Sequence, residues 1–245
     1  MPELVDTIRE RTVRVLETVA AAARRGGRSG EAVRLVVVTK MQSVEMVRAA
    51  IEAGARLLGE NYAEEAAQKI EMLGPQSGVE WHMIGHVQSR KAPLVAQHFD
   101  LVHSLDSLRL AQRLDRSAGE AGRILPVLLE FNVSGEKSKH GWQAADEARW
   151  DDLLGDVQAI AALGHLRLRG LMTMPPLSTD PEAGRVHFRK LRRLQDFLAR
   201  GVPQADWTEL SMGTSADFAV AVEEGATLVR VGQAILGPRP EAGGE

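Results

Sequence analysis

Eight short apolar runs, each bounded by glycine or polar residues, recur along the chain from Leu35 onward. They are LVVVTK (35–40), ARLLGE (55–60), EWHMIG (80–85), DLVHSL (100–105), ILPVLLEFNV (124–133), LRLRGLMTM (166–174), WTELSMG (207–213) and TLVRVGQAIL (227–236). Runs of this kind, apolar along most of their length, predict strands covered on both faces. Between them, apolar residues fall at i, i+3 and i+7, as in Val44, Val47 and Ile51 or Leu191, Leu194 and Leu198, which predicts helices resting one face on a sheet. Eight βα units in 245 residues point to an α/β fold of the (β/α)8 TIM barrel kind, preceded by an extra helix from Glu3 to about Arg25. A doubly wound open sheet is the alternative. No linker or fixed-period repeat divides the chain, so residues 1–245 are expected to form one domain, with 1–30 as N-terminal helix and linker and 238–245 as a flexible tail.

In a barrel the C-terminal ends of all strands meet on one face, and that face carries the function. Here the run ends offer Lys40, Glu60, Asn61, Gly85, His86, Ser104, Asp106, Asn132, Thr173, the SMGTS of Ser211 to Ser215, and the RVGQ of Arg230 to Gln233. Lys40 stands out, because an ammonium group at the end of a buried strand is costly unless it reaches water or does chemistry. The seventh and eighth runs end in Ser/Gly-rich turns leading into helices, where barrels commonly bind phosphate. The simpler reading of Thr214 and Ser215 is that one of them caps a helix starting near Ala216. Barrel closure brings this turn beside Lys40, which would then be a counter-ion or form an imine with the aldehyde of pyridoxal phosphate. Arg230 suits the second role, since arginine can donate to a pyridine nitrogen; its alternative is an ion pair with Glu60 or Glu209.

The motifs LVVVTKMQSVEMV, LLGENYAEEAAQK, EWHMIGHVQSRK, FNVSGEKSKHGW, LRGLMTMPP and LSMGTSADFAVAVEEGATLVRVGQAILG follow one another in the order and spacing of the pyridoxal phosphate homeostasis proteins. The chain resembles this family, the single-domain relatives of the alanine racemase barrel, from about Leu35 to Gly237. The resemblance implies that Lys40 holds pyridoxal 5'-phosphate as an internal aldimine, with Asn61 beside the ring and Arg230 facing its nitrogen. It also implies that Ser211, Met212, Gly213, Gly232 and Gln233 surround the phosphate. Three positions depart from the family pattern: Gln233 replaces a small hydroxyl residue, Thr214 a methionine and Arg90 an asparagine.

The implied activity is that of a carrier that buffers the cofactor and supplies it to client enzymes, with no catalytic residues of its own. A weak amino-acid racemase is the competing reading. Stereoinversion needs an acid/base group on each face of the substrate carbon. The barrel racemases take the second from a tyrosine on an additional C-terminal domain, whereas this sequence ends soon after the eighth run and its one tyrosine, Tyr62, belongs to GENY. A third reading, a barrel binding some other phosphorylated metabolite with Lys40 as counter-ion, suits the same electrostatics.

Composition narrows the rest. A net charge of -3 without a long basic block argues against a nucleic-acid surface. The acidic N-terminus has no uninterrupted apolar stretch, so neither a signal peptide nor a membrane anchor is expected, and a cytoplasmic monomer is. Absence of cysteine excludes disulfides and thiolate metal sites. His82 and His86 would be spread by ~13 Å along a strand, too far for one ion, so no metal is expected. The loop GEKSKHGW, with Lys137, Lys139 and His140, reads either as an electropositive flap over the mouth or as a solvated turn.

Overall fold

The computed structural model describes residues 2–76 and 78–238. Nine strands appear among them: β1 (Arg34–Val38), β2 (Leu57–Glu60), β3 (Glu80–Met83), β4 (Leu101–Leu105), β5 (Leu125–Asn132), β6 (Trp142–Gln143), β7 (Leu166–Met172), β8 (Glu209–Ser211) and β9 (Leu228–Val231). Hydrogen-bonded neighbours run β4-β3-β2-β1-β9-β8-β7-β5, and a β4–β5 pairing closes the ring. All these pairs are parallel. The eight-stranded barrel is therefore closed and the open sheet is excluded; β6 is a short addition beside the end of β5, with Phe131 opposite Trp142.

The helices are α1 (Pro2–Arg25), α2 (Val44–Glu52), α3 (Ala63–Leu73), α4 (Ala92–His98), α5 (Leu108–Glu120), α6 (Leu154–Ala161), α7 (Arg185–Gly201), α8 (Phe218–Glu223) and α9 (Gln233–Leu236). The expected periodicity holds: Leu191, Leu194 and Leu198 on α7 are fully buried. The extra helix α1 packs against α2, α8 and α9, burying Val5, Ile8, Val15, Val19, Ala22 and Ala23 at three- and four-residue spacings. No helix among the described residues is long and apolar enough to cross a membrane.

Strand alternation sorts the apolar residues into two groups. One large cluster fills the space between strands and helices and includes Val37, Leu58, Met83, Val102, Leu129 and Val229. The other, Val36, Leu101, Leu128, Met172 and Leu228 with Leu57 against it, has the opposite parity and fills the barrel interior. On β1 the inward positions Arg34, Val36 and Val38 lead up to Lys40 at the mouth.

Several elements are shorter than the runs that announced them. Lys40 is two residues past the end of β1, in a turn where Met41 takes φ 60°. The eighth run divides at Gly232, so that QAIL is helical rather than extended. The expected flexible tail falls, beyond Pro238, outside the described residues.

Candidate functional site

A cavity of about 420 Å³ opens at the C-terminal ends of the strands. Its polar lining comprises Lys40, Asn61, Thr214, Ser215, Arg230, Gly232 and Gln233, and Val38, Ile84, Met174 and Leu177 are among its apolar wall residues. Five of the eight residues expected at the site, Lys40, Asn61, Arg230, Gly232 and Gln233, are thus brought together. The other three, Ser211, Met212 and Gly213, are buried and do not line the cavity.

The turn carrying Lys40 is clamped from below. The Met41 N–H donates to Glu65 Oε1 at 2.8 Å, which stabilises the left-handed backbone there. Glu65 Oε1 also meets Lys69 Nζ at 2.5 Å, one helical turn along α3. Lys69 Nζ in turn donates to the Thr39 carbonyl and to Glu60 Oε1, both at 2.9 Å, while Thr39 Oγ1 donates to the same Glu60 oxygen at 2.8 Å. Lys69 and Glu60 are both buried, and burial holds the Glu60 carboxyl pKa above its ordinary value although Lys69 and the hydrogen bonds oppose the rise. Glu209 is engaged by Arg34 at 2.5 Å and by the Thr227 hydroxyl at 2.6 Å. The ion pair considered for Arg230 with Glu60 or Glu209 is therefore not what holds that arginine.

Arg230 is buried on β9, where one guanidinium nitrogen donates to Ser211 Oγ and another to the Thr173 carbonyl at 2.9 Å. Burial lowers its pKa to about 10, against the pull of Asp217 and Glu130, so it stays charged at neutral pH. Ser211 Oγ lies 2.7 Å from His103 Nδ1, His103 Nε2 lies 3.0 Å from His82 Nδ1, and His82 Nε2 lies 3.4 Å from Glu80 Oε2. Donor and acceptor roles along this chain follow from its ends. A guanidinium only donates, so Ser211 Oγ accepts from Arg230 and its own O–H is left to donate to His103 Nδ1. His103 then donates from Nε2 to His82, and His82 donates from Nε2 to the carboxylate. The His103 pKa lies well below its ordinary value through burial and the nearby cations, so His103 is neutral, as this arrangement needs. The hydroxyl expected from sequence beside a phosphate thus contacts the arginine and His103 in this structure.

The Ser/Gly-rich turn is organised by a residue the sequence reading passed over. Asp217 Oδ1 accepts from the Thr214 N–H at 2.7 Å and from its hydroxyl at 3.0 Å, so Thr214 is spent on the turn. Neither Thr214 nor Ser215 caps a helix at Ala216: α8 starts at Phe218, and Ser215 Oγ accepts from the Gly232 N–H at 3.3 Å. Gly213 is required, because at φ 92° a Cβ would stand 2.6 Å from that of Ala221. Asn132 is directed to the loop that follows β5, accepting from the Ser134 and Gly135 N–H groups and donating to the Glu136 carbonyl. Glu130, inside the upper barrel, has its pKa pushed up to about 7 by burial and by Asp106, with Arg230 opposing.

Two outcomes follow from this geometry. Ser211→Ala strands a buried guanidinium N–H and a buried imidazole nitrogen, so urea unfolding of the apoprotein should show a loss of about 2–3 kcal/mol; unchanged stability would mean that the Thr173 carbonyl suffices to hold Arg230. Glu130 binds its proton more tightly folded than unfolded, so its contribution is fully present below pH 4.5 and is lost as pH rises through about 7. Glu130→Gln should therefore gain stability relative to the parent between pH 5 and pH 8, by up to ~3 kcal/mol. The urea midpoints of the pair at both pH values check this, and a constant difference would contradict it.

Comparison with known proteins places this barrel. Residues 16–240 match the family described as alanine racemase, N-terminal domain. The pyridoxal phosphate homeostasis protein of Vibrio alginolyticus is 40% identical over 216 residues, covering 87% of this chain and 89% of that protein. That of Escherichia coli K12 is 39% identical over 242 residues, covering 96% and 98%. PipY of Synechococcus elongatus, solved without PLP, superposes with a TM-score of 0.83 at 35% identity, covering 94% of this chain and all of that one; with PLP bound the TM-score is 0.80. The alanine racemase of Streptomyces lavendulae shares the fold, with a TM-score of 0.67 at 22% identity, and the match covers 60% of its length. The chain belongs to the alanine racemase N-terminal domain family, among its pyridoxal phosphate homeostasis proteins.

Proposed function

We propose that the cavity beside Lys40 binds pyridoxal 5'-phosphate and that the protein holds and supplies this cofactor rather than turning over a substrate with it. The donor set fits the molecule. Lys40 provides an amine for its aldehyde, Arg230 a charged donor for its ring nitrogen, and Ser215, Gly232 and Gln233 provide polar groups on the side where the phosphate would lie. When bound, the cofactor supplies an electrophilic aldehyde and an electron-withdrawing ring. Relatives named for pyridoxal phosphate homeostasis, and PipY with PLP bound, support this reading. Transfer to client enzymes and a monomeric state belong to the same proposal.

The observation that carries the choice of carrier over catalyst is the cavity lining. Among the described residues it presents Lys40 and no histidine, carboxylate or tyrosine able to exchange a proton on the opposite face of a substrate. Tyr62 lines a neighbouring cavity instead. Arg230 adds to this, because a permanent guanidinium donates to the ring nitrogen without protonating it and leaves the ring a weaker electron sink.

Borohydride reduction of the protein loaded with one equivalent of pyridoxal phosphate, followed by peptide mass mapping, should place the pyridoxyl adduct on Lys40. An adduct mainly on Lys137 or Lys139 would overturn the assignment. Incubation of the loaded protein with L-alanine and L-serine should give no D-isomer above the free-cofactor control on chiral chromatography; sustained turnover would instead establish a racemase.

A further inference from the structure

His86, on the loop after β3, and Asp106, one residue beyond β4, meet through Nδ1 and Oδ2 at 2.9 Å. His140, near the end of the loop joining β5 to β6, stacks on His86 with ring centroids 4.3 Å apart and planes inclined by 16°. One donor atom from each of the three lies within 4.8 Å of the other two. Ser107 Oγ donates to Asp106 Oδ1 at 3.0 Å and so fixes the carboxylate from the other side. Both histidines line a cavity bordered by Asn61, which also lines the Lys40 cavity. His82 takes no part, being enclosed within the barrel, so the spacing that rules out a metal between His82 and His86 does not bear on this group.

We propose that His86, Asp106 and His140 form a site for a divalent first-row transition ion of the zinc kind, which clips the flap of residues 133–141 to the barrel rim. Two imidazoles and a carboxylate are a borderline donor set suited to zinc, cobalt or nickel, whereas calcium and magnesium take oxygen ligands. Ligands at ~2.0–2.1 Å from a tetrahedral ion stand roughly 3.3 Å apart. The His86–Asp106 pair is already close to that separation, and His140, exposed at the end of its loop, reaches it by side-chain rotation. The fourth position opens toward the cavity and takes water. Of the cations bordering that cavity, Lys91 is paired with Glu64, and Arg90 donates from Nε to Gln88 Oε1 at 2.9 Å. The three ligands follow three different strands, so the ion acts as a cross-link that removes freedom from the flap. It would sit beside the way into the Lys40 cavity.

The test uses tag-free apoprotein, titrated with Co²⁺ while the visible ligand-field absorption is followed, and with Zn²⁺ in competition with a chromophoric chelator. One ion should bind per chain. His140→Ala and Asp106→Asn should each weaken binding roughly tenfold or more, with circular dichroism reporting that the fold is intact. His165→Ala is the control, since His165 is another exposed histidine near an aspartate, Asp115, at 3.7 Å; it should leave binding unchanged. Zn²⁺ should also slow tryptic cleavage after Lys137 and Lys139 in the parent and not in His140→Ala. Failure of the parent to bind an ion stoichiometrically, or His140→Ala binding as tightly as the parent, would overturn the site. Binding without protection of the flap would overturn the clip. His140 lies on an exposed loop, so its variant decides the matter should Asp106→Asn fail to fold.

Discussion

The buried contact between Lys69 and Glu60 is the constraint on which the site rests. Two charges withdrawn from water are tolerable only when they are paired with each other and hydrogen-bonded to their surroundings. That requirement ties α3 to the ends of β1 and β2, because Thr39 must offer its carbonyl to Lys69 and its hydroxyl to Glu60. The residue that follows Thr39 is Lys40, and the next, Met41, is held in a left-handed conformation by Glu65 on the same helix. The amine therefore projects from a backbone that cannot relax independently of the first two βα units. Replacing the pair with apolar residues could preserve the barrel and still lose the turn, a distinction between stability and pre-organisation common at functional sites.

Inside the barrel, packing and polarity alternate by height. Arg34, Glu80 and Glu209 border a cavity at the N-terminal ends of the strands, an apolar layer of Val36, Leu101, Leu128, Met172 and Leu228 fills the interior, and the chain from Glu80 through His82, His103 and Ser211 to Arg230 threads past it. Each member is satisfied by the next, so a polar thread passes an apolar layer without stranding a donor. The lower face and the mouth are consequently not electrically separate.

The sequence disclosed the barrel because closure imposes two periodicities at once, the near-continuous apolar strand and the helix with one apolar stripe. Lys40 and Arg230 were legible for a related reason: a charged residue terminating or interrupting such a run has few ways to be accommodated. The partners of Ser211 were not legible because strand parity, rather than motif position, sets them. At an inward position beneath Arg230, its hydroxyl serves the arginine rather than the cavity. Parity could also have found the buried histidines, since His82 and His103 occupy inward positions of adjacent strands. Asp217 and Lys69 left no comparable signal. An acid two residues after a serine, and a lysine in an amphipathic helix, look like ordinary surface residues until a turn or a neighbouring carboxylate gives them a partner. The meeting of His86 with His140 depends on a loop conformation that no local pattern encodes.

The register that places Val36 opposite Arg230 has a kinetic side. β1 lies near the start of the chain and β9 near its end, so their pairing is among the most non-local contacts in the molecule, and contacts of that kind form slowly because the intervening chain must first be ordered. Lys40 and Arg230 stand on either side of this seam. Until it closes, the amine and the guanidinium belong to separate parts of a growing or refolding chain, and no partly folded form carries both walls of the cavity. Competence to capture a ligand between these walls therefore requires this pairing, and a molecule retained there reports that the last strand has found the first.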